Sequence, residues 1–121
     1  MARYEHLPLY KKAMDTAVRV ETVVKGFSRY HKYTLGTDLR NQSREIVRLV
    51  IRANSQADKS GPLGFLRDTI EDLKVTIHLC KEIKAFKSFN TFQALVEAVS
   101  DMSKQCEGWM KSLNRKDKGG S

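Results

Sequence analysis

A chain of 121 residues has room for one compact domain with a single hydrophobic core and too little for two. Hydrophobic residues make up 40% of it and charged residues 30%, too apolar for a disordered tail, while no run approaches the roughly 20 apolar residues of a membrane span. The net charge of +8 is uneven: residues 1–57 carry eleven basic and five acidic side chains and residues 58–121 eleven and nine, so a polyanion is drawn chiefly to the first half. The opening Met1-Ala2-Arg3-Tyr4-Glu5 lacks the apolar core of a signal peptide, and the expected location is cytoplasmic.

In chain order, the first predicted helix runs from about Leu7 to Phe27, with Pro8 in its first turn and Tyr10, Met14, Ala17, Val20, Val24 and Phe27 on one stripe. Ser28 to Gly36 breaks it. Within that break Tyr30, Lys32 and Tyr33 mix aromatic and basic character, which suits either stacking on single-stranded nucleic acid or plugging one end of the fold. Gly36 and Thr37 read as a turn and cap before a second helix that ends near Asn54. After the polar run Ser55 to Gly61, Pro62 opens a third helix with Leu63, Leu66, Ile70, Leu73, Ile77 and Cys80 on one stripe and Val75, Leu79, Ile83 and Phe86 on another. The fourth opens at Asn90 as cap, with Gln93 reaching back, and follows Phe92, Leu95, Val99, Met102, Cys106, Trp109 and Leu113.

Four helices of this length on short connections predict an all-α fold, an antiparallel up-down-up-down four-helix bundle over residues 1–113. Residues 114–121 read as a basic, glycine-rich flexible tail. The second stripe of the third helix, with Val18 and Val23 off the main stripe of the first, exceeds what one small bundle needs for its interior and points to a homo-oligomer. Cys80 and Cys106 each fall in an apolar pattern and are expected to be reduced core residues.

Arg40, Arg44, Arg48 and Arg52 recur at every fourth position of the second helix, on one slowly winding face. Like charges at this spacing cost a few tenths of a kcal/mol per pair in an isolated helix, so something acidic must lie against them. Carboxylates of a neighbouring helix would do, and so would phosphates. Asp38 and Glu45 are the only acids in that segment, and planar guanidinium groups suit bidentate contact with either anion.

Catalysis finds little support. His6, His31 and His78 are scattered, and Glu71 and Asp72 stand beside Lys74 as in a solvated, salt-bridged face. Gly61-Pro62-Leu63-Gly64 lacks the lysine and flanking strand of a phosphate-cradling loop. No enzyme, cofactor or metal site is expected.

The segments Leu7-Pro8-Leu9-Tyr10-Lys11-Lys12, Leu35-Gly36-Thr37-Asp38-Leu39-Arg40-Asn41-Gln42-Ser43-Arg44, Arg52-Ala53-Asn54-Ser55 and Gly108-Trp109-Met110-Lys111-Ser112-Leu113-Asn114-Arg115-Lys116 resemble the accessory variability determinants of diversity-generating retroelements. These belong to a wider group of small four-helix-bundle proteins that includes those encoded in ribosomal-RNA intervening sequences. The resemblance implies a barrel-like homopentamer that binds the retroelement reverse transcriptase and RNA or DNA through a basic surface, supports mutagenic reverse transcription and does no chemistry itself. By position, Arg40, Arg44, Arg48 and Arg52 are the first candidates for that surface, with Lys111, Arg115 and Lys116 as a second group. The intervening-sequence proteins are the rival membership: a bundle scaffold of undefined role with no polymerase partner.

Overall fold

The computed structural model describes residues 3–119, with side chains through residue 114, and every regular element among them is helical. A 3-10 turn, Tyr4–His6, leads into α1 (Pro8–Lys25), followed by the one-turn α2 (Arg29–Lys32), then α3 (Leu35–Ser55), α4 (Ser60–Glu82) and α5 (Phe89–Gly119). The long helices pack in cyclic order, α1 and α4 each lying against α3 and α5. Their directions follow from cross-links between their ends. Glu21, late in α1, meets Arg40 and Arg44, early in α3, and Cys106, late in α5, meets the Leu63 carbonyl, early in α4. Neighbours therefore run antiparallel, as short connections require.

The interior is one apolar cluster. The expected stripes of α4 (Leu63, Leu66, Ile70, Leu73, Ile77, Cys80) and α5 (Phe92, Leu95, Val99, Met102, Cys106) are buried, with Trp109 and Leu113 half-buried beyond them. On α1 the buried row is Leu9, Ala13, Thr16, Val20 and Val24, one position from the expected one at its start; Tyr10 and Ala17 flank it and Met14 is exposed. Thr16 tolerates the interior because its hydroxyl donates to the Lys12 carbonyl at 2.7 Å.

Several boundaries differ from the sequence reading, and α4 starts at Ser60, two residues before Pro62. Gly36 lies inside α3, where a β-carbon would stand 2.9 Å from both the His31 carbonyl oxygen and Val24 Cγ1; the missing side chain lets α1 and α2 close on α3. Ser88 caps α5 in place of Asn90, its Oγ accepting from the Thr91 amide at 3.2 Å. The break after α1 contains α2, capped by Ser28. Helix α5 is described to Gly119, past residue 113.

Two connections are held by local chemistry. The Lys59 ammonium donates to the carbonyls of Ala53, Asn54 and Gln56 at 2.9, 3.0 and 2.8 Å, closing the negative end of α3. Helix α4 ends in a double return, Lys84 N–H to Lys81 O at 3.0 Å and Ala85 N–H to Cys80 O at 2.9 Å. This seats Lys84 at φ 61°, the left-handed conformation that glycine usually fills.

Outside the core, α4 exposes Val75, Leu79 and Ile83, as expected, whereas Phe86 turns inward; α1 exposes Val18, whereas Val23 is half-buried. No described helix is long and apolar enough to cross a membrane.

Candidate nucleic-acid interface

An α-helix turns about 40° beyond a full circle with each four-residue step, so the arginine row winds around α3. It starts in the α1–α3 groove and moves outward: the side chains of Arg40, Arg44 and Arg48 are 36%, 47% and 61% exposed in turn, and Arg52 is exposed.

Neutralisation is partial. Arg44 Nη2 donates to Glu21 Oε1 at 2.7 Å. Arg40 Nε lies 3.1 Å from Glu21 Oε2 but points off line, making a charge contact without a directed hydrogen bond. One carboxylate thus serves two guanidinium groups. Arg48 pairs with Glu45 at 3.1 Å, one turn away on its own helix, and Arg52 makes no ion pair among the described residues. Asp38 is exposed and outside these pairs. Four cations against two carboxylates leave two positive charges on the row, so of the two anions the sequence left open, a carboxylate of the neighbouring helix meets the inner end and the outer end keeps its excess charge.

Burial by itself disfavours the charged form of Glu21. The hydrogen bond from Arg44, the contact with Arg40 and the charges of both outweigh that, and its pKa falls below the ordinary 4.5.

Glu21 had no sequence signal, because its arginine partners lie on another helix. Lys25 and Lys32 were likewise not paired with the ladder in the sequence, yet with Glu21 and Arg40 they line one cleft of about 320 Å³ at the start of the row. Lys25 follows Glu21 by four positions on α1, which is the one local hint. The basic strip therefore extends past α3 towards α2. Lys111 is exposed far along α5, and no ion pair among the described residues ties it to the ladder. The side chains of Arg115 and Lys116 lie outside the described residues.

Other polar features have a different character. The larger groove between α1 and α5, about 830 Å³, is lined by Lys12, Arg19, Asp15, Glu97 and Asp101, a mixture of signs with Lys12 3.6 Å from Asp101. Cys80 and Cys106 are free and buried. Burial, with Asp38 adding to it, pushes the Cys80 thiol up to about 11, and burial with Glu107 against Arg67 does the same for Cys106. Among the described residues no three His, Cys, Asp or Glu side chains gather as metal ligands would. Comparison with known protein families finds no match for this chain, and comparison with curated proteins finds none either.

Proposed function

We propose that this protein is a non-catalytic accessory subunit of a retroelement reverse transcriptase, binding the polymerase and its nucleic acid through the basic strip that runs from Lys25 and Lys32 along Arg40, Arg44, Arg48 and Arg52. One observation carries the reading: the row keeps two positive charges beyond its own carboxylates, and its outer members are the most exposed. Such a strip gathers polyanions by releasing their counterions. The resemblance of the first, second and last helices to accessory variability determinants supplies the polymerase partner. A cytoplasmic setting accords with it.

Self-association belongs to the same reading. Val18 on α1 and the Val75, Leu79 and Ile83 strip on α4 lie on helices that are not neighbours in the cyclic packing order. Two different patches on different sides make head-to-tail contacts, which close into a ring when the rotation allows; the pentamer is what the resemblance implies. Val18→Glu or Leu79→Glu, followed by light scattering, is expected to reduce the assembly to single chains.

The deciding experiment is a salt titration of binding to generic RNA and DNA oligonucleotides, with expected affinity falling steeply as salt rises from about 50 to 200 mM. Absence of binding at the low end leaves the intervening-sequence type of scaffold. The engagement of Arg40 and Arg44 by Glu21 is the observation that favours that second reading.

A further inference from the structure

The end of the bundle built by α2 and the α4–α5 connection has a chemistry that the ladder does not explain. Phe27 and Phe86 pack edge to face at 5.6 Å, and the Lys87 side chain lies over Gly26, its Cε 3.5 Å from where a β-carbon would stand, so the two connections form one surface. Segments 25–38 and 81–93, which make up this end, hold six lysine and arginine side chains against two carboxylates. Half of the net charge of +8 thus sits in 27 of 121 residues.

Three large rings stand out from that cationic surface: Tyr30, Tyr33 and Phe89 are 74%, 69% and 63% exposed. Phe89 is braced from behind by the buried Phe92 at 5.5 Å, and Tyr30 by His31 at 5.5 Å. The aliphatic docking residues of the molecule are elsewhere, on the faces of α1 and α4. What the end offers is flat π-surface among ammonium groups, and an unpaired base with its phosphate complements both. A duplex does not, because its bases are already stacked on one another.

We propose that this end is a stacking platform for single-stranded nucleic acid, with bases lying on Tyr30, Tyr33 and Phe89 and phosphates meeting Lys32, Lys84 and Lys87. The inference rests on the reading that the basic strip meets nucleic acid, and it adds the class of strand and the point where it enters. Lys32 lines the same cleft as Arg40, so a strand leaving the rings passes directly onto the ladder.

The test uses fluorescence anisotropy with a labelled 20-nucleotide oligo(U), the matching oligo(dT) and a 20-base-pair duplex. Tyr30→Ala/Tyr33→Ala/Phe89→Ala is expected to lower single-strand affinity at least about tenfold, change duplex affinity less than about twofold and leave the salt slope unchanged. Tyr30→Phe/Tyr33→Phe, which keeps the rings, is expected to retain wild-type affinity. Arg44→Gln/Arg48→Gln/Arg52→Gln is expected to weaken all probes and flatten the salt slope. If removing Phe89 lowers the melting temperature, Tyr30→Ala/Tyr33→Ala alone carries the comparison. Unchanged single-strand affinity, or equal losses on single strand and duplex, overturns the platform while leaving the ladder reading intact; loss of polymerase binding with nucleic-acid binding intact does so too. Failure of the wild type to bind any probe at low salt rejects the basic-strip reading itself.

Discussion

Arg44 and Glu21 meet at 2.7 Å across the α1–α3 groove although they stand 23 positions apart in the chain. Glu21 also faces Arg40, so it withholds charge from the row at its inner end. Glu21→Gln should therefore strengthen binding to RNA or DNA and steepen its salt dependence by about one unit in log–log slope, the reverse of what loss of a structural ion pair does. The pair is substantially exposed, and the folding free energy should change by less than about 1 kcal/mol in urea denaturation. The contribution of Glu21 to stability is present above pH 4.5 and fades as acid protonates it, because its folded-state pKa is depressed.

Gly36→Ala and Gly64→Ala should have opposite signs. A methyl group at Gly36 meets the His31 carbonyl and Val24 at 2.9 Å, so packing strain on the order of 1–3 kcal/mol outweighs the better helix propensity of alanine. At Gly64 nothing lies within 4 Å of the added β-carbon, and alanine should raise stability by about 0.5–1 kcal/mol. Thermal melts of the two variants check the pair.

Lys59→Met keeps the aliphatic stem and removes the ammonium from three carbonyl oxygens at the end of α3. The expected loss is about 1–2 kcal/mol, since partly sheltered carbonyls lose a charge-assisted donor. Hydrogen exchange should quicken first in the last turn of α3 and the first turn of α4.

Alkaline pH should destabilise the fold through its two buried thiols. Below their ordinary value of 9.0, folded and unfolded chains are both protonated at Cys80 and Cys106, and the full contribution is present. Between 9.0 and about 11 the unfolded chain gives up those protons while the folded chain holds them, so stability falls on the order of 2 kcal/mol per thiol. In Cys80→Ala/Cys106→Ala that part of the pH slope should vanish, and the wild-type thiols should react slowly with alkylating reagents at pH 8.

The stripes of α4 and α5 were readable in the sequence because long, regular 3.6-residue periodicity leaves one solution for which side faces in. The outward Val75-Leu79-Ile83 strip was readable for the same reason. Gly36 was misread because the same residue type serves turns and tight helix contacts, and only the arrival of Val24 and the His31 carbonyl distinguishes them. Asn90 and Ser88 are both competent caps two positions apart, and the choice is made by which oxygen reaches the Thr91 amide. At the site, the arginine row showed through its spacing, and its two local acids were visible. Glu21, which governs half of it, was hidden because a contact between helices is decided by how α1 is rotated against α3, which the residues of neither helix state alone.

The left-handed seat at Lys84 sets two demands against each other at a single position. Glycine there would relieve steric cost of about 1–2 kcal/mol, offset in part by the greater freedom it gives the unfolded chain. The same exchange would remove one of the six cations of that end of the bundle. Under the stacking platform we propose, one substitution would thus raise heat tolerance and weaken hold on a single strand, so the two properties can be tuned in opposite directions without touching the core.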